Sequence, residues 1–405
     1  MIPPAVPQTP AATTACSLAS EVDVKRLLLM LVAALVAVPI VAASAAIPES
    51  AAATKGAAFL LSVQNAQGTY DANAEKHASG QVMDSIFAVR AAGFDPNKDV
   101  LPGGKSPADY LKANAKDAVK PAAAAKAALG AKALGLDPKA VNGTNLIANV
   151  IAGLDAATGK YAADDFSQSI AMLGLACTGN TVPANAAAAL KATQLADGGW
   201  GFGGTSDADT AAIVIQALLA SGTPKTDTAV AKAITYLKTS LQPDGGWGYD
   251  PIASNASSTA FALQALIAAG EDVNIPQYIR PGPSPVTFLL SQQNADGSFK
   301  GFDATFATNQ AVPALAGRTF CNAPETPITQ TRPVATPTPA PKASPTAAAT
   351  PVATAPPASA TTAPRPPSTG NSGGSPAAGF EFLPVALAFL LLSGGGLIAL
   401  RRRRG

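Results

Sequence analysis

The run Ser206-Asp207-Ala208-Asp209-Thr210-Ala211 places two carboxylates, one residue apart, where a glycine-rich loop gives way to an alanine-rich helix. A carboxylic acid held there could give a proton to a substrate, which makes Asp207 and Asp209 the candidate catalytic residues. Both also suit helix capping, because an Asp at a helix start accepts from backbone N–H groups that have no partner inside the helix. Asp84, Asp165, Asp209, Ser258 and Asn309 stand in comparable places and form the candidate ligand-binding set, again with capping as the competing role. No metal site is expected: zinc takes three or more protein ligands, and the sole histidine, His77, sits in the loop Ala74-Glu75-Lys76-His77. No cofactor is expected. The formal charge is +2, of which Arg401 to Arg404 supply four positives. That leaves no basic stripe for nucleic acid.

The elements that must position these residues come from a repeat. Lys191 to Leu218 reads as the end of a helix carrying Gln194, a turn Asp197-Gly198-Gly199 holding Trp200, a Gly/Ser/Asp loop and a second, alanine-rich helix. The plan recurs with Gln242, Gly245 and Trp247, with Gln293, Gly297 and Phe299, and with Gln64, Gly68 and Tyr70; a weaker copy is Ile147 to Tyr161. The turn glycines Gly68, Gly159, Gly198, Gly245 and Gly297 are 91, 39, 47 and 52 residues apart, so the first interval hides a degenerate copy. Such spacings belong to helical pairs that bury their apolar faces only by stacking. Six pairs are predicted: 55–64 with 81–92, 107–117 with 122–134, 145–154 with 166–176, 184–195 with 209–220, 227–241 with 257–268, and 285–293 with 309–316. The second helix of each pair is richer in small residues and suits a crowded inner ring, while the first carries more Lys and polar residues and suits an outer one. The expected fold is all-α, an α/α toroid of about six helical hairpins spanning residues 48–322.

The ends of the chain read differently. Lys25-Arg26, the apolar run Leu27 to Val41 and Ala43-Ser44-Ala45 make residues 1–45 an expected export signal, with translation starting near residue 22 or 24 as a further expectation. Residues 326–379 are rich in Pro, Thr, Ala and Ser, too poor in apolar area to order, and read as a stalk. Phe382 to Leu400 is 19 residues without a charge, long enough to cross a bilayer, and Arg401 to Arg404 follow as a cytoplasmic tail (401–405). Pro366-Pro367-Ser368-Thr369-Gly370 before that span resembles a bacterial sortase sorting signal, with Pro366 where the family has Leu; a retained membrane anchor is the first expectation and wall attachment the second. Of three cysteines, Cys16 leaves with the signal. Cys177 and Cys321 are then outside the cell, where a disulfide between them or two buried thiols are both allowed.

Lys55-Gly56, Phe59-Leu60, Gln64, Gly68 and Tyr70, with the later Gln, Gly and aromatic copies, resemble the QW repeat of the squalene cyclase and protein prenyltransferase superfamily over residues 55–316. The resemblance implies a structural role for these repeat residues, with Gln bridging backbone groups and Gly bending the chain at φ > 0. Squalene cyclases carry Asp-x-Asp-Asp-Thr-Ala, whose middle acid protonates the isoprenoid. Here Asp209-Thr210-Ala211 match, but Ala208 holds the donor's place and Ser206 that of its acidic partner. Asp207 is one residue off, and one residue turns a side chain by about 100° on a helix. The zinc ligands of prenyltransferases and the Gly-Cys-Gly-Glu-Gln run of thioester toroids are not found. Exported toroids of this kind include cobalamin carriers, whose second β domain has no counterpart before the stalk.

Three functions stay open. The first is a membrane-anchored, non-catalytic toroid that binds a small hydrophobic or tetrapyrrole-like ligand, or a surface protein, at one ring end. It predicts an accessible apolar pocket without paired acids. The second is a terpenoid cyclase with a degenerate acid motif, which predicts converging carboxylates in a deep aromatic cavity. The third, a structural or adhesive surface protein, predicts a hole plugged by side chains.

Overall fold

The computed structural model describes residues 50–70, 79–98, 103–249, 253–273 and 282–323. The expected export signal, stalk, membrane span and Arg tail, together with His77, lie outside the described residues. Among the described residues there are twelve α-helices: α1 Ser50–Ser62, α2 Ser79–Ala91, α3 Pro107–Asn114, α4 Pro121–Ala133, α5 Leu146–Ala152, α6 Asp165–Cys177, α7 Ala184–Ala192, α8 Ala208–Ala220, α9 Thr228–Ser240, α10 Ala256–Ala268, α11 Pro285–Ser291 and α12 Ala304–Leu315. They form the six expected hairpins. Most boundaries fall within three residues of expectation, but α1 starts at Ser50 rather than at 55, and two others differ for a visible reason. Residues 115–117 are a 3₁₀ turn after α3, and α12 starts at Ala304 rather than at 309, because Asp303 caps it by accepting from the Phe306 N–H at 2.8 Å.

The even-numbered helices form the inner ring. Each packs against the next, from α2 through α4, α6, α8 and α10 to α12, and α12 packs back on α2. Small residues make this approach close enough. A Cβ at Gly174 of α6 would lie 2.3 Å from the Ala125 Cβ of α4. The odd-numbered helices lie outside, and most pack chiefly on the inner helix of the preceding repeat: α1 on α12, α5 on α4, α7 on α6, α9 on α8 and α11 on α10. On α9 the buried residues Ala229, Val230, Ala233, Ile234 and Leu237 form one stripe at helical spacing, as a surface helix requires.

The repeated turn ties one outer helix to the next. The Gln194 amide donates to the Gly198 carbonyl at 2.9 Å and to the Ala229 carbonyl in the first turn of α9 at 2.8 Å. Trp200 is fully buried, and its indole N–H donates to the Leu190 carbonyl at 2.8 Å; Trp247 does the same to Leu237. In the last repeat Gln293 donates to Gly297 and to Ala52 of α1, so the same device closes the ring. Gly297 needs its lack of a side chain twice over. Its φ is +94°, and a Cβ would lie 2.3 Å from the Lys55 carbonyl oxygen. The weaker third repeat has no turn Gln. Gln168 of α6 takes the role, donating to the carbonyls of Gly159 and Ala186 and accepting from the Tyr161 N–H at 2.6 Å.

Inside the ring, side chains fill the space. Every residue of Ala208–Leu218 on α8 and of Ala256–Leu266 on α10 is buried. Phe166 of α6 meets Phe261 of α10 edge to face, with ring centroids 6.0 Å apart, although α8 stands between those helices in the ring. After α12 the chain runs across the ring end where the inner helices finish. There Phe320 stacks on Phe87 of α2 at 5.0 Å, and Cys321 is bonded to Cys177, the last residue of α6. Of the two states the sequence allows for these cysteines, the structure has the disulfide. Among the described residues no helix is long and apolar enough to cross a membrane.

Candidate functional site

The carboxylate pair lies where the turn of the fourth repeat delivers the chain into α8. The Asp207 N–H donates to the Trp200 carbonyl at 3.0 Å, which pins the loop ends together and leaves Asp207 extended ahead of the helix. From that position one oxygen of its side chain accepts from the Thr210 N–H at 2.7 Å, and the other accepts from the Thr210 hydroxyl at 2.9 Å. Asp207 is therefore the cap of α8, and both of its oxygens are engaged in capping.

Asp209 is 1% exposed, and neither oxygen has a well-aligned hydrogen-bond partner among the described residues. The Ser258 hydroxyl on α10 is near enough to favour its charged form, but burial dominates and raises its pKa. The pKa of Asp207 is also raised, first by burial and next by the Asp209 charge, against the opposing hydrogen bonds from Thr210. Two half-buried phenols stand within electrostatic reach. Burial and then the Asp207 charge raise Tyr236 on α9, and the same causes push Tyr249, in the loop before α10, up to about 12. Such a pair can hold a proton at neutral pH, as a general acid must.

The other candidates do not gather at one open rim. Asp84 is the sixth residue of α2 and forms a buried ion pair with Lys126 of α4 at 2.6 Å; burial still raises its pKa despite the lysine. Asp165 is half-buried and accepts from the Thr193 hydroxyl at 2.8 Å, while the true cap of α6 is Asp164. Ser258 is buried, its N–H held by the cap Asn255. Asn309 is buried and donates to the Gln81 carbonyl at 3.4 Å. Thus Asp209 and Ser258 are brought together, and Asp84, Asp165 and Asn309 each have separate partners. Among the described residues no three His, Cys, Asp or Glu are placed to hold a metal ion.

Sequence reasoning passed over the aromatic side chains of the loops that enter the inner helices. Phe202, Tyr249 and Phe302 follow the turn aromatics of repeats four, five and six, and Phe302 packs on Phe306 at 5.2 Å while remaining 57% exposed. Their place two or three residues after Trp200, Trp247 and Phe299 was the available signal.

A closed double ring of helices with Gln-tied turns defines a terpene cyclase-like α/α toroid. The squalene-hopene cyclase C-terminal domain model matches residues 111–313, half of the chain. The chain belongs to that family. Among solved structures it is similar to the ligand-free type II terpene cyclase MstE from Scytonema, at 16% identity and a TM-score of 0.50, over 67% of this chain and 98% of that one. A variant of the same cyclase in complex with geranylgeranyl dihydroxybenzoate, its substrate, matches at 16% identity with a TM-score of 0.45, over 67% and 97%. No curated protein sequence matches the chain. At this identity the likeness is one of fold.

Proposed function

We propose that this protein is a non-catalytic member of the family, displayed on the outer face of a membrane, which binds an apolar small molecule or surface partner at the ring end where the inner helices begin. The observation that carries the non-catalytic part of this reading is the burial of α8 and α10 on every face over their first eleven residues, which plugs the hole, as the structural surface reading also expects, and leaves the ring end as the place to bind. A hollow able to take a polyprenyl chain would expose side chains along these helices, and none is exposed. Two further facts agree with it. Ala208 stands between the two carboxylates where the family pattern has its acid, and Asp207 is occupied as a helix cap. The disulfide suits an oxidising compartment, in keeping with the export reading. The exposed Phe302 with Phe306 offers an apolar contact at the proposed end.

One observation favours the second reading, a cyclase using a displaced acid: the Asp209 carboxylate is buried, lacks a well-aligned partner and has a raised pKa. Incubating the purified protein with geranylgeranyl-type substrates and analysing the products by mass spectrometry separates the two. The expected result is unchanged substrate, with a co-purifying or thermally stabilising apolar ligand found by native mass spectrometry and melting shifts. A cyclic product that disappears in Asp207→Asn or Asp209→Asn would reverse the conclusion.

A further inference from the structure

The strap that follows α12 crosses from one side of the ring to the other. It leaves α12, which packs on α10 and α2, passes Phe87 of α2 and ends covalently on Cys177 of α6. In the ring order α6 is the inner helix farthest from α12. Apart from the disulfide, the strap is held by the buried Phe320 ring, by Ala323 against the core and by the Arg318 N–H, which donates to the Pro313 carbonyl of α12 at 2.9 Å. Phe320 stacks on Phe87, the Thr319 N–H donates to the Asn322 side chain at 2.6 Å, and the Arg318 guanidinium donates to the Asn322 carbonyl at 3.2 Å. The two Asn322 contacts lie within the strap itself. Two residues beyond Cys321 the described domain ends at Ala323, and the sequence runs on into the Pro/Thr/Ala segment.

We infer that the Cys177–Cys321 disulfide is a mechanical clasp, which carries tension arriving from the C-terminal chain directly into α6 and keeps α12 from being peeled out of the ring. Tension of this kind arises if the domain hangs from a membrane stalk, so the clasp's use rests on the proposed display at a surface; the clasp itself is a property of the folded domain. Without the bond, a pull at Ala323 draws on the strap and then on the C-terminal end of α12, where contacts with α10, α2 and α1 break one after another. Loss of α12 opens the ring, because α12 joins its last repeat to its first. With the bond, the pull enters at the end of α6, a helix flanked by α4 and α8 and fastened by the Lys132 ammonium, which donates to the Cys177 carbonyl at 2.7 Å. The 144 residues of separation between the two cysteines then leave the force path.

The test is single-molecule stretching of the full-length chain in detergent, held at its two ends, first oxidised and then reduced in place after folding. In the oxidised protein the fully stretched chain should be shorter by about 500 Å, from roughly 3.5 Å for each sequestered residue. Its first rupture should also come at higher force and release no segment the size of α12. Reduction should add a low-force first step corresponding to α12 and the strap, and Cys177→Ser/Cys321→Ser should behave as the reduced wild type. An α12-sized first step at the same force in both redox states would overturn the clasp, as would two free thiols by mass spectrometry in the exported protein. Because the chain is pulled in detergent, this outcome is independent of whether residues 382–400 anchor it, which membrane fractionation decides separately.

Discussion

Gln293 donates its amide to the carbonyl of Ala52 at 2.9 Å, across 241 residues of chain, while holding its own turn through Gly297 at 3.1 Å. That pair of bonds joins the outer helix of the last repeat to that of the first. Gln242, at the same place one repeat earlier, donates to the Ser240 carbonyl at 3.3 Å, within its own turn. Gln293→Ala should therefore cost about 1–2 kcal/mol, as expected for partly buried carbonyls that lose their donor. Gln242→Ala should cost roughly half as much or less. Urea midpoints of the two variants measure the difference, and equal losses would show that the seam bond has no special weight.

A similar contrast exists among glycines. Gly222 and Gly297 have nearly the same φ, +88° and +94°, but a Cβ at Gly222 meets nothing within 4 Å, whereas one at Gly297 lies 2.3 Å from the Lys55 carbonyl oxygen. Gly222→Ala should cost about 1–2 kcal/mol from its left-handed backbone alone. In Gly297→Ala the clash adds to that strain and forces α1 away from the turn, so the loss should exceed about 3 kcal/mol. Thermal melts of the two variants provide the comparison.

These contacts explain why the fold was legible in the sequence and the site was not. Gln, Gly and an aromatic at fixed offsets are a local pattern, since the turn's bonds run within a few residues and to the next outer helix. Small residues mark the inner ring because close helix approach admits nothing larger. The cap Asp303 was missed, and with it the first turn of α12, because the expected start followed a later polar residue, Asn309. Gln168 replaces a missing turn Gln from the following helix. Only the absence of a Gln near Gly159 hinted at that exchange. Asp84 reads as a rim residue from its place near a helix start, yet its partner Lys126 is 42 positions away, and no local spacing encodes such a pairing.

The carboxylate pair predicts a pH dependence of stability. Burial raises both pKa values in the folded state above the ordinary 3.8, Asp207 to about 7 with the Asp209 charge adding to the effect, and Asp209 to about 6 against the Ser258 hydroxyl. The folded protein therefore keeps protons that the unfolded chain gives up between about pH 4 and 7. The pair's stabilisation is fully present below this window and is lost as pH rises through it, by at most about 1.4 kcal/mol per pH unit for one proton. Asp227, whose pKa is lowered by Lys191, acts in the opposite sense and below the window. Urea midpoints at intervals from pH 4.5 to 7.5 should fall in the wild type and fall less steeply in Asp209→Asn, which removes one buried charge and its effect on the other. Parallel slopes would mean that the pair is not coupled to folding.

The ion pair between Asp84 and Lys126 is held at 2.6 Å inside the ring, and the pKa of Asp84 is still raised. Desolvation thus outweighs the attraction of the lysine, which is the usual balance for a charge pair taken out of water. Removing one partner leaves the other charge buried alone, so Lys126→Met should cost about 3–5 kcal/mol. Replacing both, in Asp84→Leu/Lys126→Met, removes the two desolvation costs together and fills similar space with apolar atoms. The double variant should recover most of the loss and match or exceed wild-type stability. Urea unfolding of the wild type, both single variants and the double variant completes the cycle. A double variant as unstable as the sum of the singles would mean that the two charges act independently, through other neighbours in the ring.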